Sequence, residues 1–232
     1  MADPDSKIIA SFGVLNAEAT GKEKGMARPG FFFIDTSGVI REKYFEAKYI
    51  DRFTPNNVIG KLFPELTEEV SQKVEAPHLG LTLEQSDREV APGSRVSLIA
   101  DIQLPPDTHV YSPGVKGYRP IQLVVPETSG IELAPVTYPA SEDLYLEAIQ
   151  EHVPVYAGKF RIVQDVTISF SPASAIVRSL ISAGKEVSIS GELTYQACDK
   201  TVCYPPTSVP VMWTLKVIPL DLKRSPDAIR HN

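Results

Sequence analysis

The sequence predicts a mainly β protein organised around an antiparallel β-sandwich. Between residues 79 and 218, short runs recur in which apolar residues fall two apart, as in Val209, Val211, Trp213, Leu215 and Val217. That spacing places every second side chain on one face of a strand. Turn signals such as Pro92-Gly93 separate the runs. Twenty prolines against fourteen glycines, with many Val, Ile and Thr, favour strands joined by irregular loops.

The chain has 232 residues, 43% of them apolar, enough for one large domain or two smaller ones with a real core. No stretch approaches the ~20 apolar residues of a membrane span. A net charge of −6 without a basic patch excludes nucleic acid as a partner. Residues 1–7 (MADPDSK) lack the charged and apolar regions of a secretory signal, which on its own points to the cytoplasm.

Taken in order, Ile8, Ile9, Phe12 and Leu15 fall at near-helical spacing, so a short helix is expected over 6–15. A polar, Gly-rich loop follows over 16–28. Phe31-Phe32-Phe33-Ile34 reads as a buried strand, and residues 35–38 turn the chain into a second strand over 39–45, forming a hairpin. Thr54-Pro55 is a helix start, Thr as N-cap and Pro at the first helical position. Val58, Ile59, Leu62 and Phe63 form its apolar face before Pro64 stops it.

The segment Gly25-Met26-Ala27-Arg28-Pro29-Gly30-Phe31-Phe32-Phe33-Ile34-Asp35, followed by Gly38-Val39-Ile40, resembles the C-terminal half of a thioredoxin-like redoxin of the alkyl hydroperoxide reductase/thiol-specific antioxidant group. The resemblance covers residues 5–66 and implies that Pro29 is the family's cis-proline. The preceding β-α-β unit and the active-site cysteines are absent here, so residues 1–66 are expected to be a partial α/β thioredoxin-like segment. A hairpin with two flanking helices lacks the strands that would cover its apolar face.

Residues 67–76 are polar and lightly helical and read as a linker. The β domain then spans 77–220. Strands are expected over 79–83, 96–102, 121–125, 160–170 (its alternation broken near Gln164-Asp165), 186–195 and 209–218. About seven such strands over roughly 140 residues fit a sandwich. Trp213, at an inward position, is a core residue rather than a ligand platform. Residues 221–232 form a charged tail.

The chain's two cysteines, Cys198 and Cys203, have four residues between them. Three uses are open to them. A structural disulfide across so short a loop contributes only about 2 kcal/mol, against nearly 5 for a loop of about 100 residues. A zinc site wants four ligands, and the histidines that would complete one, His109 and His152, stand in no metal-spaced motif. A redox dithiol needs an accessible thiolate, a second cysteine to resolve the mixed disulfide, and shielding walls. The short loop satisfies the first two, Lys200 between the cysteines is either a charge that favours thiolate or an ordinary solvated loop lysine, and Tyr195 and Tyr204 flank the pair. The residues favour the third use without closing the other two.

Tyr195-Gln196-Ala197-Cys198 followed by Cys203-Tyr204-Pro205-Pro206 closely resembles the active-site loop of the N-terminal (alpha) domain of the DsbD thiol:disulfide interchange proteins. Pro106-Asp107-Thr108-His109-Val110-Tyr111 is similar to that family's Pro-Gly-Trp-His-Ile-Tyr strand end, with Asp107-Thr108 in place of Gly-Trp. The resemblance covers residues 77–220. It implies an immunoglobulin-like sandwich carrying one reactive disulfide, with Cys203 as nucleophile and Cys198 as resolving thiol. Tyr195, Gln196, Tyr204, Pro205, His109 and Tyr111 would surround the pair. A cap loop would fall over 141–151, with Leu144, Tyr145, Leu146 and Ile149 as its apolar candidates.

The resemblance further implies a thiol:disulfide oxidoreductase without cofactor or metal. Its partners would be thioredoxin-like proteins or domains held by transient mixed disulfides, with a membrane electron-transfer protein as a further candidate. Disulfides of this kind persist outside the cytosol, so a periplasmic or otherwise extracytoplasmic location is expected, and the absent signal reads as missing upstream sequence. The alternative is a non-catalytic immunoglobulin-like binding module whose disulfide stiffens a loop.

Overall fold

Residues 3–48, 50–64, 70–146, 150–169 and 186–219 are described by the computed structural model. The expected tail over 221–232, cap candidate Ile149, linker residues 67–69 and the end of the strand expected to reach residue 170 lie outside them.

The N-terminal part holds helix α1 (Lys7–Ser11), the hairpin strands β1 (Gly30–Ile34) and β2 (Ile40–Phe45), the short β3 (Arg52–Phe53) and helix α2 (Pro55–Leu62). The strands that follow are β4 (Val70–Val74), β5 (Gly80–Gln85), β6 (Glu89–Val90), β7 (Ser94–Gln103), β8 (His109–Tyr111) and β9 (Gln122–Val124). Next come β10 (Ile131–Thr137), β11 (Glu142–Leu146), β12 (Glu151–Ala157), β13 (Lys159–Ile168), β14 (Glu186–Tyr195), β15 (Ala197–Cys198) and β16 (Thr207–Val217).

The protein is mainly β, with several antiparallel sheets. One large sheet runs β10-β13-β7-β5-β4, with β3 added in parallel beside β7. A second runs β6-β16-β14-β9. Their apolar faces meet in one core that includes Leu83, Leu98, Ile162, Ile189, Leu193 and Trp213. The alternation read in β16 is what the burial shows: Val209, Val211, Trp213, Leu215 and Val217 are all buried. Trp213 is 2% exposed and donates its indole N–H to the Glu84 carbonyl at 2.9 Å, so it is core as expected. In β14, Gly191 lets β9 approach closely, since a Cβ there would stand 2.8 Å from the Val124 carbonyl oxygen.

The break near Gln164 has a physical cause. Gln164 stays inward and buried, opposite an irregularity in β10 between Leu133 and Val136, and its amide donates to the carbonyl of half-buried Ala134 at 3.0 Å. A buried polar side chain thereby satisfies the group that the bulge removes from the ladder.

Three expectations need correction. Val70–Val74 is not part of a helical linker but an edge strand paired along β5 from Val70 opposite Gln85 to Val74 opposite Leu81. Non-local pairing overrides the weak helical preference of Glu68-Glu69-Val70-Ser71-Gln72-Lys73-Val74, and an edge strand tolerates a polar sequence. β1 is not a buried strand: Phe31 is 39% and Ile34 53% exposed, because a two-stranded sheet has no third strand to cover it. No peptide bond among the described residues is cis, so Pro29 is a trans proline.

No thioredoxin-like segment is evident in the N-terminal part. The hairpin and α2 are tied to the sandwich instead. Thr54 caps α2 by accepting the Asn57 N–H at 3.0 Å, with Pro55 at the first helical position as expected. Asn57, fully buried, donates to Ser97 Oγ at 2.8 Å and to Asp165 Oδ1 at 3.2 Å, and Arg95 forms a two-pronged pair with Glu46 at 2.6 Å.

Candidate functional site

A third, smaller sheet in the order β11-β12-β8-β15 builds the neighbourhood of the cysteines. β14 ends at Tyr195, and β15 lays Ala197 opposite Val110 and Cys198 opposite His109 of β8. A tight reversal over 199–202 returns Cys203 against Cys198, and the two form a disulfide with Cα atoms 4.0 Å apart. Backbone bonds of 2.9 Å close the neck, from Asp199 N–H to the Val202 carbonyl and from Tyr204 N–H to the Ala197 carbonyl.

Asp199 explains why this sequence turns here. Its Oδ1 accepts the Thr201 N–H at 2.7 Å, the Thr201 hydroxyl at 2.8 Å and the Val202 N–H at 2.9 Å. Its Oδ2 accepts the Tyr204 hydroxyl at 2.8 Å. Short Asp side chains make such turns because the carboxylate reaches backbone donors two and three residues on. These bonds, those from the Thr201 and Val202 backbone first, hold the Asp199 carboxyl well below the usual carboxylate range.

The two sulfurs stand in different surroundings. Cys198 is 1% exposed, whereas Cys203 is exposed to solvent. Cys198 sits in a small apolar cluster with Tyr111, Val153 and Val155, against which Leu144, Leu146 and Tyr118 pack. The Tyr111 hydroxyl lies 3.9 Å from each sulfur. Its ring stacks on Tyr118 at 4.4 Å, and Tyr118 donates to Glu151 at 2.8 Å. Burial first, and Glu151 second, push the Tyr111 hydroxyl above its ordinary pKa, so it stays protonated beside the sulfurs at neutral pH.

His109 is 9% exposed, with its ring edge-on to Tyr111 at 5.5 Å and its Nε2 buried without a hydrogen-bond partner. Burial lowers its pKa against the opposing pull of Asp199, so the imidazole is neutral at pH 7. Tyr204 is half-buried, its ring stacked on His78 at 3.6 Å, and its carbonyl accepts from the Gln196 amide at 3.0 Å. Pro205 is exposed next to it. Tyr195 belongs to the core beneath the loop: its hydroxyl donates to the Pro77 carbonyl at 2.7 Å, and burial pushes its pKa up to about 12.

The segment expected to act as a cap is a hairpin, β11 paired with β12 from Glu142 opposite Val155 to Leu146 opposite Glu151. Leu144 and Leu146 share the face that packs on the Cys198 cluster, while Tyr145 lies on the other face, 47% exposed and against His152. Lys200 is ion-paired with Asp107 at 2.7 Å. Asp107 takes a left-handed backbone with φ 61°, at the place where the similar family motif carries glycine. Sequence reasoning missed Tyr118, Glu151 and the role of Asp199. Asp199-Lys200-Thr201 carries the turn signal that would have revealed Asp199; nothing local points to Tyr118.

Residues 81–212 match the family model of the thiol:disulfide interchange protein DsbD, N-terminal. The chain belongs to the DsbD N-terminal domain family. Three solved structures are similar to it. The N-terminal periplasmic domain of ScsB from Proteus mirabilis is 13% identical with a TM-score of 0.42; the match covers 62% of this chain and 49% of that one. The reduced DsbD N-terminal domain from Neisseria meningitidis is 13% identical with a TM-score of 0.35, covering 68% of this chain and 94% of that one. The GAE domain of GGA2p from Saccharomyces cerevisiae is 10% identical with a TM-score of 0.32, covering 63% and 96%. The chain thus spans about half the length of the ScsB domain it matches. No curated protein matches it. A DsbD N-terminal domain with a Cys198–Cys203 disulfide is consistent with thiol:disulfide exchange.

Proposed function

We propose that this protein exchanges electrons with thioredoxin-like proteins or domains by cycling Cys198 and Cys203 between disulfide and dithiol. The observation that carries this reading is the asymmetry of the pair: one sulfur exposed, the other buried in an apolar cluster. A partner thiolate can reach only an exposed sulfur, and attack on Cys203 leaves a mixed disulfide there and a thiolate on Cys198. In the reducing direction the Cys203 thiolate of the dithiol attacks a partner's disulfide and frees one partner sulfur. Cys198 then attacks Cys203, reforms the internal disulfide and releases the second partner sulfur, so the partner leaves reduced by two electrons. Cys203 is therefore the nucleophile of the dithiol state, and Cys198 resolves. Tyr111, Leu144 and Leu146 shield the buried sulfur between encounters.

Disulfides of this kind survive outside the cytosol, so the place of action is periplasmic or otherwise extracytoplasmic, and a membrane electron-transfer protein is a further candidate partner. Residues 1–66 are proposed to be the C-terminal part of a redoxin. The β1–β2 hairpin followed by α2, with exposed Phe31, Ile34 and Ile40, supports that reading. Expressed alone, this fragment should be unfolded or associated, and a cooperative thermal transition from its monomer would sink the idea.

The test is trapping. Cys198→Ala, incubated with a thioredoxin-like protein, is expected to accumulate a mixed disulfide through Cys203, and Cys203→Ala is not. Trapping by Cys203→Ala alone reverses the roles. Trapping by neither, with a potential for the wild-type pair below about −300 mV, makes the disulfide structural.

A further inference from the structure

We infer that His109 is the proton acceptor of the resolving sulfur: its Nε2 is the acceptor that the Cys198 thiol uses when the pair is reduced. The inference rests on the exchange reading above. In the disulfide state Nε2 is buried and has no partner, an arrangement that proteins avoid because a buried polar atom left unpaired costs about 1–3 kcal/mol. His109 and Cys198 are directly opposed across β8 and β15. Opposed residues of an antiparallel pair project to the same face with Cβ atoms about 5 Å apart. Tyr111, two residues along β8 and so on that same face, touches both the His109 ring and the Cys198 sulfur. A disulfide sulfur has no proton to donate, whereas a thiol does. The missing partner of Nε2 is thus supplied by reduction.

The chemistry follows with its protons balanced. With its proton on Nδ1, neutral His109 accepts from the Cys198 S–H. A partner held as a mixed disulfide on Cys203 is released when the Cys198 sulfur bonds Cys203 Sγ and the Cys203–partner bond breaks. The Cys198 proton passes to Nε2, the partner sulfur leaves as thiolate, and the imidazolium returns the proton through solvent to that thiolate. Cys198 is oxidised from thiol to disulfide, the partner sulfur is reduced to thiolate, and Cys203 stays at the disulfide level throughout. The imidazole is a weaker base than a thiolate, so the resting dithiol keeps its proton on sulfur, and transfer accompanies S–S bond formation.

The charged and titratable groups around His109 are few. Among the described residues they are Asp199 from the loop side and Tyr111 on its own strand, while β12 presents uncharged Ala157 opposite it. Burial outweighs Asp199, so the acceptor is lost only as pH falls below the ordinary histidine range.

His109→Leu removes the acceptor and His109→Gln keeps a polar side chain of similar size without a titrating ring. In the whole chain, equilibration with dithiothreitol is expected to show about a tenfold loss in the stability of the dithiol relative to the disulfide for His109→Leu, a potential ~30 mV more negative. The resolution rate, measured on the mixed disulfide of Cys203 with a small aromatic thiol, should fall in acid for wild type with a midpoint below pH ~6.5. In His109→Gln, whose fold is checked by near-ultraviolet circular dichroism, the rate should follow the Cys198 thiolate alone, losing the plateau above that midpoint and falling about tenfold per pH unit from the thiol's own pKa downward. An unchanged potential in His109→Leu, or the wild-type plateau and acid midpoint retained in His109→Gln, overturns the inference. Failure of the exchange reading looks different: wild type then forms no mixed disulfide with protein partners, while the His109 effect on the dithiothreitol equilibrium is still read.

Discussion

Tyr204 donates its hydroxyl to Asp199 at 2.8 Å across the neck of the loop that separates the two cysteines. The bond ties the residue after Cys203 to the residue after Cys198, so the position of the exposed sulfur depends on a carboxylate that touches neither sulfur. Asp199→Ala should therefore loosen the Cys203 side of the loop while leaving Cys198 in its strand. Amide exchange at Thr201 and Val202 should become faster by an order of magnitude or more. The sign of the pH dependence is set by the lowered pKa of Asp199. A carboxyl with a depressed native pKa contributes fully above its unfolded value of about 3.9 and loses that contribution as pH falls through the native value. The difference between wild type and Asp199→Ala should shrink in strong acid and be complete at pH 6. An equal difference at both ends would show that the carboxylate is not the cause.

The face assignment of β11 separates two sets of variants. Leu144 and Leu146 pack on the Cys198 cluster, and Tyr145 does not. Leu144→Ala and Leu146→Ala should each cost about 1–2 kcal/mol, less than the 2–5 of a fully buried leucine, because both are only partly buried. They should also speed reduction of the disulfide by a bulky thiol several-fold. Tyr145→Ala should leave that rate within about twofold and stability within about 0.5 kcal/mol, the range of exposed substitutions. Stopped-flow reduction rates and urea midpoints read both, and an aromatic shield at Tyr145 would reverse the order.

Asn57 makes a fully buried tether between the N-terminal part and the sandwich. Its amide donates to Ser97 and Asp165, on adjacent strands of the large sheet. Asn57→Ala removes both donations from a fully buried site and should destabilise the chain by about 1–3 kcal/mol. Asn57→Asp should do worse, since it sets a second carboxylate against Asp165 where the amide stood. Urea unfolding at pH 7 distinguishes the two, and equal costs would mean that Asp165 feels no added charge.

These relationships divide by the range of the signal behind them. The Thr54-Pro55 cap and the alternation of β14 and β16 were legible because a cap is decided within four residues and a strand face by its own periodicity. The cysteine pair was legible for the same reason, as two sulfurs in one short loop. The strand over Val70–Val74 was not, because its conformation is imposed by β5, and its polar sequence suits an edge as well as a helix. Tyr118 was not, because it meets Tyr111 only after residue 120 bridges back to β8. The segment expected to form a cap folds as the β11–β12 hairpin, and which of its faces meets the Cys198 cluster is set by the register against β12. Pro29 carried an expectation borrowed from a family resemblance, and its peptide bond is trans.

The Lys200–Asp107 pair bears on the reactivity of Cys203. Lys200 stands between the cysteines in sequence, and an unpaired ammonium there would favour the thiolate of a reduced Cys203. Asp107 pairs with it at 2.7 Å and offsets that charge. Asp107→Gly removes the carboxylate at a position whose left-handed backbone glycine adopts freely. The pair is largely exposed, so its loss costs at most about 1 kcal/mol. Relief of the backbone and the greater freedom of unfolded glycine oppose one another, leaving stability within about 1 kcal/mol of wild type. The visible effect should be on the thiol. In a Cys198→Ala background, Asp107→Gly should shift the Cys203 titration to lower pH, and Lys200→Ala should shift it to higher pH. Thiolate absorbance at 240 nm followed against pH measures both. Shifts of the same sign in the two variants would mean that Lys200 does not reach the sulfur's field.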